Sequence, residues 1–125
     1  MSDVVQRETD LHRPVSDFLM ARGYTVRAEV RHCDITATKG DDLIVVELKR
    51  HFSVDLLLQA VERRRVTDSV YVAVPRPDKG HGRWRGIKKL LRRLELGLIF
   101  VSFAGARARV EVVLHPGPYT PRKAP

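Results

Sequence analysis

Glu47-Leu48-Lys49 closes an apolar stretch that begins at Leu43. In an extended chain residues two apart project to one face, so Glu47 and Lys49 share a face with Leu43 and Val45. A carboxylate and an ammonium at the end of an apolar strand are costly to bury without partners. A metal ion and a phosphate are natural partners for such a pair. Asp34 lies upstream, and Lys39-Gly40-Asp41-Asp42 between them reads as a turn. A hairpin there can bring Asp34 beside Glu47. Two carboxylates that close repel unless a cation sits between them. Mg²⁺ takes oxygen ligands, binds through one or two carboxylates and keeps several waters. Mn²⁺ is the alternative. Such an ion can polarise a phosphate and lower the pKa of an attacking water. Lys49 would orient that water or stabilise the charge on a phosphorane-like transition state. An E-x-K triplet alone is weak, because exposed strands often carry one as a solvated salt bridge. The upstream Asp, the hairpin, the apolar strand and a following helix give it weight.

The elements that must position these residues can be read from periodicity. Thr9 and Asp10 can cap a helix running to about Arg22, with Leu11, Val15, Phe18 and Leu19 at helical spacing and Gly23 as its stop. Pro14 is tolerable only near the first turn, which leaves the start open. Strands are expected at Tyr24 to Val30, Asp34 to Thr38 and Leu43 to Lys49. The stretch from Leu43 to Val46 is apolar on both faces, which implies a central, covered strand. A second helix is expected from Ser53 to Arg65, with Val54, Leu57, Leu58 and Val61 as its apolar stripe. Val70 to Val74 is a short buried strand, and Pro75 to Gly86 reads as a loop. Ile87, Leu90, Leu91 and Leu94 mark a third helix ended by Gly97. Leu98 to Phe103 and Arg109 to Leu114 are strands. The order is α-β-β-β-α-β-α-β-β: an α/β fold with a mixed β-sheet flanked by helices. Residues 1–114 form a single domain, and the Pro-rich basic tail 115–125 is expected to be extended and mobile.

The segments Cys33-Asp34-Ile35-Thr36-Ala37, Val45-Val46-Glu47-Leu48-Lys49 and Leu57-Leu58-Gln59 together resemble the PD-(D/E)XK nuclease superfamily. More narrowly, the chain resembles a bacterial family of uncharacterised proteins assigned as PD-(D/E)XK phosphodiesterases. Glu8-Thr9-Asp10-Leu11, Pro14-Val15, Val70-Tyr71-Val72-Ala73-Val74-Pro75 and Leu90-Leu91-Arg92-Arg93-Leu94 extend that likeness over nearly all the chain except the tail. The resemblance implies a restriction-endonuclease-like core and a Mg²⁺-dependent nuclease. It implies that Asp34 and Glu47 bind the metal and that Lys49 serves catalysis. Gln59 matches a glutamine common on the helix after the E-x-K strand, and Glu8 is the candidate for an acidic residue near the first helix. Cys33 stands where the motif's name puts proline.

Other residues divide between functional and ordinary roles. Gln59 could position a water or a phosphate, or simply cap a backbone group. Glu29 could add a further acidic group at the metal pocket, or pair across strands with a cation. Glu8 could reach the metal or merely complement the helix dipole. His32 could bind a metal, but beside a hard-oxygen site it reads rather as a bystander or a phosphate contact, and Cys33 as a small core residue.

The chain has 125 residues, 23 Lys plus Arg against 15 Asp plus Glu, and a formal charge of +8. A small domain this basic attracts polyanions, of which nucleic acid is the usual one. Lys79, Arg83, Trp84 and Arg85, in a loop with several glycines, suit backbone contact with base stacking, and Lys88 and Lys89 would extend that surface. Trp84 could equally anchor the loop to the core. Hydrophobic residues make up 43% of the chain, enough for one modest core. A single cysteine excludes an intramolecular disulfide and a cysteine-based zinc site, and fits a reducing, cytoplasmic setting. No apolar run approaches the length of a bilayer span, and no signal peptide is visible. The expected activity is hydrolysis of nucleic-acid phosphodiester bonds, with DNA favoured. The alternative is a nucleic-acid-binding module that does not cut. Dimerisation would supply a second site and more surface.

Overall fold

A computed structural model of the chain describes residues 9–29, 34–120 and 123. Its elements are α1 (Thr9–Met20), β1 (Thr25–Glu29), β2 (Asp34–Lys39), β3 (Asp42–Leu48), α2 (Val54–Arg63), β4 (Val70–Pro75), α3 (His81–Arg93), β5 (Gly97–Ala104) and β6 (Arg107–Leu114). They build an α/β fold around a mixed six-stranded sheet in the order β1-β2-β3-β4-β5-β6. The first three strands pair antiparallel, β3, β4 and β5 run parallel, and β6 returns antiparallel to β5.

Strand alternation sorts the core into two layers. Ile35, Ala37, Ile44, Val46, Leu48, Ile99 and Val101 face α1, against Leu11, Val15 and Leu19. Val45, Val70, Val72, Val74, Leu98 and Phe100 face the other way, against α2 and α3. Two crossovers that step in one direction along a sheet place both helices on the same side. The central strand β3 therefore has no polar face to offer until Glu47, its last residue but one. No helix is long and apolar enough to cross a membrane, among the described residues.

Three expectations change. First, α3 begins at His81, so residues 82–86, placed in a loop by their glycines, are helical. Gly80 at φ 86 lets the chain turn into the helix, and its carbonyl accepts from the Trp84 amide at 2.9 Å. The burial of Trp84 beside Phe52 and Phe100 outweighs the poor helix propensity of Gly82 and Gly86. Second, Gly97 is not a helix stop but the first residue of β5. A Cβ there would run into the Tyr71 ring, which lies over the glycine. Third, α2 buries Leu56 and Ala60, whereas Val54, Leu58 and Val61 are 69%, 64% and 42% exposed. Leu90 of α3 is likewise 40% exposed, and Trp84, Ile87, Leu91 and Leu94 carry that helix's inner face. The start left open by Pro14 is settled as well: Pro14 lies inside α1, which is described from Thr9. The chain after β6 has no regular structure through Thr120, yet it is tied back: the Tyr71 hydroxyl and His115 Nδ1 are 2.9 Å apart, and the Tyr119 amide donates to Glu95 at 3.3 Å.

Candidate active site

The site is set by a turn. Gly40 and Asp41 make a two-residue bend between Lys39 and Asp42, with Gly40 at φ 62. Glycine adopts that left-handed conformation without a Cβ clash. Lys39 pairs with Asp42, and the ladder runs from there to Ile35 opposite Val46. Asp34 precedes Ile35 and Glu47 follows Val46, so the two acids are neighbours across the strands. Ile35 and Val46 face α1, which leaves Asp34 and Glu47 on the side of α2. A slip of one residue in this register would send one acid of the pair to the opposite face.

Both acids are buried, at 4% exposure for Asp34 and 1% for Glu47. Their partner comes from the last turn of α2. Arg63 donates from Nη2 to Asp34 Oδ2 at 2.7 Å and from Nε to Glu47 Oε2 at 3.0 Å. The helix is fixed at its start by Ser53, whose hydroxyl accepts from the Leu56 amide at 3.1 Å. Leu56, Ala60 and Arg63 then fall on the one stripe that meets the sheet, at the helical spacing i, i+4, i+7. Leu56 and Ala60 are the residues α2 buries, so Val54, Leu58 and Val61 turn outward and Arg63 is carried to the edge of the inner face.

With both acids ionised, two carboxylates and one guanidinium leave the site one positive charge short. Burial, and then a hydrogen bond that the protonated Glu47 carboxyl donates to Asp34, push the Glu47 carboxyl from 4.5 up to about 7, while Arg63 pulls it the other way. Arg63 itself is raised above its usual value, chiefly by its hydrogen bond to Glu47 and against the desolvation that lowers it. A divalent cation would supply the missing charge. The two carboxylates suit Mg²⁺, which needs few protein ligands and fills the rest with water. No group of three or more His, Cys, Asp or Glu stands together for a metal among the described residues. Asp34 and Glu47 would then be the ligands this chain contributes there.

The remaining expected residues are distributed as follows. Lys49 is half-buried just past β3, and its amide donates to the Ala73 carbonyl at 3.1 Å, which continues the pairing with β4. By alternation it emerges on the same face as Glu47. Gln59 is exposed on α2 one turn before Arg63, and it is Arg63 that reaches the acids. Arg63 had no assigned role in the sequence reading. The signal that points to it is its place on the stripe of Leu56 and Ala60, combined with the need of a buried acid pair for a cation. Glu29 ends β1, with its Cα paired to that of Asp34, and its side chain is outside the description. Glu8, His32 and Cys33 lie outside the described residues.

Trp84 is half-buried and packs edge to face with Phe52, at 5.7 Å between centroids, and with Phe100, at 5.2 Å. Its ring holds α3 to the sheet. Lys79, Arg83, Arg85 and Lys89 are exposed around the start of that helix, and Lys88 is half-buried. A cleft of about 520 Å³ opens beside them, past the carboxyl ends of β3 and β4. Arg50, His51, Arg76 and Arg83 line it together with one acid, Asp78. A larger cleft of about 620 Å³ lies between α1 and the β5–β6 hairpin, and holds none of the candidate residues. Comparisons with models of known protein families, with curated proteins and with solved structures find no match for the chain.

Proposed function

We propose that the chain is a metal-dependent phosphodiesterase with a restriction-endonuclease-like core, acting on nucleic acid with DNA as the favoured polymer. The observation that carries this reading is the buried Asp34–Glu47 pair at the end of a central strand, with Lys49 two residues beyond. Burying an acid pair costs stability unless cations compensate it, which favours a cation-linked role. The sequence resemblance to PD-(D/E)XK nucleases gives the same three residues the same chemistry.

In this reading the Asp34 and Glu47 carboxylates hold one divalent cation, Mg²⁺ or Mn²⁺. That ion supplies Lewis acidity at the scissile phosphate and makes a water a stronger nucleophile. Lys49 orients the water or offsets the charge that builds on the phosphoryl oxygens. The basic cleft along Arg50, Arg76 and Arg83 holds the phosphate backbone.

A second reading also has an observation in its favour. Arg63 already bridges the two acids, as it would in a nucleic-acid-binding module that never takes a metal. One experiment separates the two. Plasmid, single-stranded DNA and RNA are incubated with the protein and Mg²⁺ or Mn²⁺, beside Lys49→Ala. Metal-dependent cleavage that disappears in Lys49→Ala supports the enzyme. Cleavage that survives the substitution exposes a contaminant, and binding without cleavage of any polymer supports the module.

A further inference from the structure

We propose that Arg63 is the resident counter-cation of the Asp34–Glu47 pair and is displaced when a divalent metal binds. This rests on the metal-dependent reading above and adds a residue to it. The guanidinium holds one oxygen of each acid, at 2.7 Å and 3.0 Å, and so bridges the two groups a metal would join. A planar fork of N–H donors suits two carboxylates, and holds them converged when no metal is there.

Exposure shows which partner can move. The side chains of Asp34 and Glu47 are 5% and 2% exposed, whereas that of Arg63 is 40% exposed. The acids are fixed in the sheet, and the arginine covers them from the last turn of a helix. Its guanidinium can swing outward while Leu56 and Ala60, both fully buried, keep α2 in place. Charge favours the exchange as well. Once both acids are ionised, one guanidinium leaves the pair one charge short, and a divalent ion balances it. Arg63 then stands beside the reacting centre with its fork free, which is the geometry that recognises a phosphate. It acts as a positioning residue before metal binding and a phosphate contact after it.

A purely structural clamp makes the opposite prediction for metal affinity. If Arg63 only braces the acids, its removal lets them splay and weakens the metal. If it competes with the metal, its removal strengthens binding, because the pair no longer spends most of its time occupied. The test is calorimetric titration of the full chain with Mg²⁺ and with Mn²⁺, without nucleic acid, for the wild type, Arg63→Gln and Arg63→Lys. Thermal melts are run with and without metal. Arg63→Gln should bind metal about tenfold more tightly, or more, and Arg63→Lys should fall between it and the wild type. Metal-free Arg63→Gln should melt below the wild type and recover when metal is added. If it fails to fold without metal, Arg63→Lys decides alone. Affinity that is unchanged or weaker in the folded variants overturns the proposal. Should the wild type still bind metal and cleave in that case, the phosphodiesterase reading stands without it. Absence of metal binding in all three proteins sinks both.

Discussion

Arg63 and Asp34 lie on different elements, α2 and β2, yet their side chains meet at 2.7 Å over the end of β3. That contact ties the helix to the hairpin across the face where Glu47 is buried. In the metal-free protein its loss leaves two acids without a counter-charge. Removing one partner of a fully buried pair costs about 3–5 kcal/mol. Arg63 is 40% exposed, so solvent compensates part of this, and Arg63→Leu should cost about 2 kcal/mol by urea denaturation. A loss below about 0.5 kcal/mol would show that the bridge does not hold the site together.

The raised Glu47 carboxyl has a consequence for pH. Its folded value of about 7 exceeds the ordinary 4.5, so between these values the folded state binds more protons than the unfolded state. Stability of the metal-free protein should therefore fall as pH rises from about 4.5 to about 7, and this contribution should level off above. The size is at most about 3 kcal/mol. Glu47→Gln cannot titrate and should flatten that part of the curve. A wild-type profile that rises across this window, or a slope retained in Glu47→Gln, would contradict the assignment.

The two faces of α2 should respond in opposite ways to substitution. Leu56→Ala removes a fully buried side chain and should cost about 2–5 kcal/mol. Leu58→Gln, at a position 64% exposed, should stay within about ±0.5 kcal/mol. Equal losses at both positions would mean that the stripe of Val54, Leu58 and Val61 is covered in solution. Sedimentation of the wild type would then show whether a second copy covers it.

Trp84 and its basic neighbours should separate into anchor and ligand contacts. Trp84→Ala should cost about 3 kcal/mol of stability, because the ring packs against Phe52 and Phe100. The double substitution of Arg76 and Arg83 by Gln should leave stability nearly unchanged. It should weaken binding of an oligonucleotide and lower the slope of log affinity against log salt by about 1–2. An unchanged slope would move the backbone contact out of the cleft past β3 and β4.

Gly97 is held by space rather than by backbone angle. A Cβ would press on the Tyr71 ring and on Pro116. Gly97→Ala should cost about 1–3 kcal/mol, and Gly97→Ala with Tyr71→Leu should recover part of that loss. Additive losses in the double variant would refute the crowding.

Much of this was legible in the sequence because it depends on short-range rules. Alternation assigned Glu47 and Asp34 to the face opposite Val46 and Ile35, and Gly40-Asp41 marked the bend that aligns them. Those rules act through neighbouring residues and survive without knowledge of the rest of the chain. What they could not decide was which side of a helix goes inside. Periodicity picked Val54, Leu57, Leu58 and Val61 as the inner stripe of α2, whereas the structure buries Leu56 and Ala60. The choice belongs to contacts between distant segments: Leu56 and Ala60 pack into the layer of Val45, Val70 and Val72, and Arg63 reaches the two buried acids. Glycines likewise disguised the first turns of α3, which Trp84 anchors by reaching Phe52 and Phe100. The sequence by itself determined the acid pair and its hairpin; only the tertiary structure decided what balances the pair's charge, because burial and its counter-ion are properties of the packed chain.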